Sequence, residues 1–200
     1  VALALGRSWR GCGDNWEAFK AIRGFADDYP HSDLRQQVIE LQFALGRDML
    51  RSSAGFLFFW SEREGGRRCL EHLITRYPEN THMADALRLL GDAAFADGDF
   101  TLAQERYRDL VRHNPEGEWA KYARYRYAMS IVATLQGPDY DLDEMRHASK
   151  ELDGLLTDPP ENPEFVAAVQ AAAARILDWR AERLWKQAQF YRRLDNRFGY

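Results

Sequence analysis

Residues Ala84 to Gly117 read ADALRLLGDAAFADGDFTLAQERYRDLVRHNPEG, a window of 34 residues whose pattern decides the fold. Leu87, Leu90 and Gly91 fall on one side of a helix, an apolar stripe with a small residue where a neighbour can approach closely. Ala103, Tyr107 and Leu110 repeat that arrangement on a second helix. Between the two, Asp97-Gly98-Asp99 supplies a left-handed stop at Gly98 and a side-chain cap at Asp99. Pro115 closes the unit, because the residue before a proline avoids α geometry. The window is a helical hairpin that cannot bury its apolar faces alone, so it predicts neighbours of the same kind.

Those neighbours are visible along the chain. Tyr29-Pro30, Tyr77-Pro78, Asn114-Pro115 and the cluster from Pro159 to Pro163 each end a helical stretch. Thirteen residues beyond the first three prolines stand Phe43, Gly91 and Ala128, two small residues and one phenylalanine that demands different packing in its own unit. Upstream, Leu5, Gly6, Trp9, Ala18, Ile22 and Pro30 keep the offsets of Leu90, Gly91, Ala94, Ala103, Tyr107 and Pro115. This is the tetratricopeptide pattern. The predicted fold is all-α, a tetratricopeptide-like α-solenoid of about five helix hairpins in a single superhelical domain over 1–200. Its repeats fall near 1–31, 32–79, 80–116, 117–160 and 161–200, the first and last incomplete. Ser32 is expected to cap a helix running to Leu50, and Asp141 with Glu144 to open another. Asn162-Pro163 starts an uninterrupted helix of roughly 30 residues, ending near Leu194. Asp195-Asn196 reads as a turn, and Phe198 and Tyr200 as the opening of a further helix.

Composition narrows the function. With 46% apolar and 29% charged residues the chain is a globular one that can build a core. A net charge of -4 offers no general attraction to nucleic acid. No apolar run reaches the ~18–20 residues of a membrane span, and no basic-then-apolar leader opens the chain. A chain that opens with Val1 inside a helix is expected to be part of a longer or processed protein, touching a membrane only through an anchor outside it. Cys12 and Cys69 suit neither a disulfide framework nor a metal site and are expected to be free, minor thiols. Cys12 follows Trp9-Arg10-Gly11, without the small apolar residues that precede a lipid-modified cysteine. Histidines 31, 72, 82, 113 and 147 form no metal-binding spacing, and those at 31, 82 and 113 stand near helix ends where they can cap carbonyls. No nucleophile elbow, phosphate loop or dinucleotide fingerprint occurs, and Gly65-Gly66 alone carries none of that chemistry. The reading is of a protein without catalytic residues, cofactor or metal.

Three surfaces are candidates for binding other proteins. Stacked hairpins leave the first helix of each pair lining a concave groove. Counted from the small-residue positions, its predicted lining is Gln37, Glu40 and Arg47, then Asp85, Arg88, Asp92 and Phe95, then Tyr122, Tyr125 and Met129. Tyr122, Tyr125 and Tyr127 can equally pack the next hairpin. A second candidate is Phe56-Leu57-Phe58-Phe59-Trp60, within an insertion from Arg51 to Gly66. Phe56, Phe58, Phe59 and Trp60 need a cover, either their own repeat or a partner. The third is the basic terminal helix with Arg180, Arg183, Lys186, Arg192 and Arg193, either a solvated face or a dock for an acidic partner. A second insertion, Gln136 to Tyr140, reads as a longer connection.

The Tyr-Pro repeat ends, the helix Tyr122-Ala123-Arg124-Tyr125-Arg126-Tyr127 and the terminal run AERLWKQAQFYRR over 181–193 together resemble the BamD-like family of outer-membrane β-barrel assembly lipoproteins. The resemblance implies a non-catalytic scaffold at the periplasmic face of the bacterial outer membrane. Its N-terminal repeats would meet unfolded outer-membrane proteins, and its C-terminal repeats the barrel-assembly subunit. The competing assignment is a periplasmic tetratricopeptide adaptor that coordinates envelope constriction with cell-wall synthesis.

Overall fold

The computed structural model describes residues 1–52 and 62–193, and every regular element among them is a helix. The chain forms two compact units, 1–97 and 98–200. Together the helices make a tetratricopeptide-like helical repeat fold.

The first unit begins with α1 (Ala2–Gly11) and α2 (Asn15–Ile22), joined at Gly13, whose φ of 86° is open to glycine. Asp14 caps α2 by accepting from the Glu17 amide at 2.9 Å. Gly6 is where the two helices meet: a Cβ there would lie 2.7 Å from Ile22 and 3.3 Å from the Ala18 carbonyl oxygen. Leu3, Ala18, Phe19 and Ile22 are buried with it, whereas Leu5 and Trp9 lie on the other face, exposed. A short α3 (Phe25–Asp28) leads to α4 (Arg35–Arg51), which pairs with α5 (Glu62–Arg76), and α6 (Met83–Ala96) packs on both. Along α4, Val38, Leu41, Leu45 and Met49 recur at helical spacing and are buried.

The α4–α5 contact explains how Phe43 is accommodated. The small residue sits three positions later, at Gly46, against Gly66 of α5. A Cβ on Gly66 would stand 2.8 Å from the Gly46 carbonyl oxygen, and one on Gly46 would stand 2.7 Å from Leu70 Cγ. Gly65-Gly66 is thus a packing feature. The stretch 62–66 is helical, so the insertion expected from Arg51 to Gly66 is shorter than its sequence suggests, and Phe56 to Trp60 lie outside the described residues. Ser32 does not cap α4. Leu34 holds that position, and Ser32 Oγ accepts from the Leu34 amide at 3.2 Å, tightening the turn before the helix. Cys69 is not a minor thiol: it is fully buried, and its Sγ donates to the Gln42 carbonyl oxygen at 3.3 Å.

In the second unit α7 (Phe100–His113) opens on Asp99, which accepts from the Leu102 amide at 3.0 Å after Gly98 at φ 80°. Ala103, Tyr107 and Leu110 are wholly buried, and α7 packs on α8 (Ala120–Thr134). The connection through Gly137 leads to α9 (Leu142–Thr157), capped by Asp141 at 2.6 Å to the Asp143 amide. The last helix, α10 (Pro163–Arg193), has 31 residues and starts on Asn162, which accepts from the Glu164 amide at 2.8 Å. Its first half is anchored in the core through Val169, Ala172 and Ile176. These meet Met145, Ala148 and Leu152 of α9 and Ala128, Ile131 and Val132 of α8 in one core.

Candidate protein-binding surfaces

The predicted groove residues of the first unit lie on α4 and α6. Gln37 and Glu40 are exposed on α4. Arg7 of α1 donates to Gln37 Oε1 at 2.8 Å, and Arg10 pairs with Asp48 at 2.9 Å. Between α1 and α4 these side chains frame a cavity of about 540 Å³ lined by Arg7, Arg10, Gln37, Glu40 and Leu41. Arg47, half-buried, pairs with Asp48 at 3.1 Å and sits 5.8 Å from the Phe43 ring centre. Phe43 in turn stacks on His82 at 4.3 Å with ring planes 1° apart, tying α4 to the start of α6. His82 therefore caps no carbonyl; it is a stacking residue at a helix N-terminus.

On α6, Asp85, Arg88 and Asp92 form a ladder, with Arg88 bonded to Asp92 at 3.0 Å and 3.8 Å from Asp85. Phe95 is half-buried beyond it. The face is therefore a lattice of paired charges, which presents donors and acceptors in fixed positions without leaving an isolated buried charge. Sequence reasoning missed Arg7 and Arg10. The signal was present: they follow Gly6 at the offsets by which Asp92 and Phe95 follow Gly91.

Beneath this face lies a polar core. Gln42, wholly buried, donates from Nε2 to the Cys69 carbonyl oxygen at 2.9 Å and meets His72 Nδ1 at 2.9 Å. Burial, reinforced by the nearby Arg76 charge, pushes the His72 pKa down and keeps the ring neutral. Burial raises the Cys69 thiol well above its usual range, so it is unreactive.

The second unit uses its aromatic helix differently. Tyr125 is buried and stacks on Phe165 of α10 at 4.3 Å with planes 9° apart, so its ring belongs to the core and does not line a groove. Tyr122 is half-buried, edge-on to Tyr107 and Trp119. Met129 is half-buried against the same core, as is Tyr127. Arg126 lies 5.9 Å from both the Tyr107 and Tyr122 rings and donates to the Tyr107 hydroxyl at 3.2 Å.

The bases of α10 divide into two groups. Arg180 donates to Ser149 Oγ at 3.1 Å, and Arg183 and Lys186 approach Asp139 at 3.8 and 3.2 Å. The connection from Gln136 to Tyr140 thus reaches this helix and holds two of its cations. Hydrogen bonds to Glu182 and then Asp139 raise the Lys186 pKa. Arg192 and Arg193 are exposed near the helix end. A feature the charge count hid runs beside these bases: Leu177, Ala181, Leu184, Ala188 and Tyr191 recur at alternating spacings of four and three, an apolar stripe that its own unit leaves largely uncovered. Trp185, 61% exposed, borders it, and Phe190, 58% exposed, falls on the side of Arg183 and Lys186.

Among the described residues no group of three or more His, Cys, Asp or Glu side chains could hold a metal ion, and no helix is long and apolar enough to cross a membrane. Compared with known families, the chain matches the one described as YfiO, outer membrane lipoprotein, over residues 61–196. No curated protein matches the chain.

Proposed function

Because the chain belongs to the YfiO family of outer membrane lipoproteins, we propose that it is a non-catalytic scaffold of the BamD type, assembling β-barrel proteins at the periplasmic face of the outer membrane. The family match over more than half of the chain carries this reading. The surfaces are consistent with it. On the first unit, the charged face of α1, α4 and α6, with Arg7, Arg10, Gln37 and Glu40 around its cavity, would engage unfolded outer-membrane proteins. On the second, the apolar stripe of α10 would meet the barrel-assembly subunit through Leu184, Trp185 and their neighbours, with Arg192 and Arg193 at its end.

The test is to recover the tagged full-length protein from detergent-solubilised envelopes after mild crosslinking and to identify its companions by mass spectrometry. Recovery of a large outer-membrane barrel protein with periplasmic repeats supports the assembly role. Recovery of cell-wall synthases or constriction proteins instead would sink it in favour of an adaptor. Arg10→Glu with Glu40→Arg should lower the yield of unfolded barrel substrates, and Leu184→Ser with Trp185→Ser the yield of the assembly subunit. Each pair should leave the other partner in place.

A further inference from the structure

The second unit has a cavity of about 480 Å³ where the α7–α8 connection meets the α9–α10 connection. Its walls are aromatic: Trp119 stands edge-on to Tyr122 at 6.0 Å, and Tyr122 is tilted against Phe165 at 6.1 Å. The two connections are pinned together by Lys121 Nζ, 2.9 Å from Asp158 Oδ1. Arg124 donates to the Pro115 carbonyl oxygen at 3.0 Å and lies 3.9 Å from Asp158. Both cations of the wall are therefore directed at Asp158 and at backbone.

The rest of the lining charge is negative. Glu116, Glu118 and Glu161 are exposed at the rim and form no ion pair among the described residues. Glu161 shares Lys121 with Asp158, and the lining as a whole sets four carboxylates against two cations, so its ring faces lie beside an excess of negative charge. Ring faces attract cations through their quadrupoles, and a guanidinium can stack on such rings while donating to carboxylates. The size fits one long side chain with some flanking backbone.

We propose that this cavity receives an arginine side chain from an extended segment of a partner protein. It is a second interaction site, separate from the faces of α1, α4, α6 and α10, and it does not depend on the barrel-assembly reading. Glutamates near helix N-termini also offset the macrodipole of α8 and α10, a role that requires no ligand. The two roles separate experimentally.

The full-length protein, labelled with nitrogen-15 and with the Trp119 indole signal assigned by Trp119→Phe, is titrated with acetyl-Gly-Arg-Gly-Arg-Gly-amide and with its glutamate counterpart. The arginine peptide should shift the Trp119 indole saturably and the glutamate peptide should not. Its affinity should fall at least tenfold in the combined Glu116→Gln, Glu118→Gln, Glu161→Gln variant, with the melting temperature kept. Raising the salt from low to several hundred millimolar should weaken binding in the same direction. No shift, an equal shift from the glutamate peptide, or a neutralised variant that binds as tightly as the parent overturns the proposal. A lowered melting temperature with unchanged binding would assign the glutamates to the helix dipoles alone and overturn it equally.

Discussion

Replacing Gly66 by alanine probes the helix contact on which the first unit depends. The new Cβ would lie 2.8 Å from the Gly46 carbonyl oxygen and 2.8 Å from the Leu50 amide nitrogen. Both are backbone atoms of α4, so no rotamer change relieves the clash. Unstrained non-bonded contacts lie at about 3.5–4.0 Å, so α4 and α5 must separate by roughly half an ångström or more. Leu45, Met49, Cys69 and Leu70, all exposed by 1% or less, fill the surroundings, and separation would open gaps among them. Overpacking of this kind costs about 1–3 kcal/mol, and the better helix propensity of alanine returns about 1 kcal/mol. The expected net loss is up to about 2 kcal/mol. Gly154 of α9 is the control, because a Cβ there meets nothing within 4 Å and only the propensity gain remains. Gly154→Ala should gain up to about 1 kcal/mol. Urea unfolding followed by far-ultraviolet circular dichroism measures both. A Gly66→Ala protein stabilised as much as the Gly154→Ala protein would refute the close approach of α4 and α5.

Asp99→Ala removes the acceptor for the Leu102 amide and should cost about 1 kcal/mol in the same unfolding assay, with Asp99→Asn retaining most of it. The half-buried His72 gives a pH dependence: its folded pKa is lowered, so the unfolded chain binds more protons as the pH falls. Stability should be full above about pH 6.5 and decline below it, levelling off once the folded form also titrates, and His72→Gln should flatten that decline between pH 7.5 and 5. Neutralising the contact of the α8–α9 connection with Asp139→Asn should leave the urea midpoint unchanged, since the pairs with Arg183 and Lys186 are exposed to solvent screening.

Local chemistry was legible in the sequence wherever one residue decides the backbone. Gly98 and Asp99 turn and cap as their types require, Asn162-Pro163 opens α10, and the absence of glycine and proline from 164 to 194 lets it run its length. Repeat alignment also located Gly6, Gly91 and Ala128 as buried contact positions. Contacts between helices were less legible, because a fixed offset cannot register a rotated helix. Phe43 occupies the expected small-residue place, and the crossing moved to Gly46, one turn on, where the Gly66 that meets it was hidden in an apparent insertion. Ser32 has the chemistry of a cap but lies too early, and its oxygen reaches Leu34 instead. Tyr125 was ambiguous for a related reason. An aromatic residue on a leading helix can face a ligand or the next hairpin, and only the position of Phe165, forty residues later, decides between them.

The terminal helix shows most clearly why counting charge misplaces a surface. Seven bases after residue 174 suggested docking by electrostatics. Arg180, Arg183 and Lys186 point back toward Ser149 and Asp139 of their own unit, so much of that charge is already matched. What the unit leaves uncovered is apolar: Leu177 at 64%, Leu184 at 55% and Trp185 at 61% exposure. Burying such side chains contributes about 25 cal/mol per Å² and responds weakly to salt, whereas exposed ion pairs are screened within about 10 Å at 0.1 M. A partner held by α10 should therefore stay bound as salt rises and be released by Leu184→Ser with Trp185→Ser. A partner held by Arg7, Arg10 and Glu40 should dissociate with salt and ignore those changes. Salt-sensitive binding that survives the α10 substitutions, for a partner crosslinked to α10 itself, would return the role to Arg192 and Arg193.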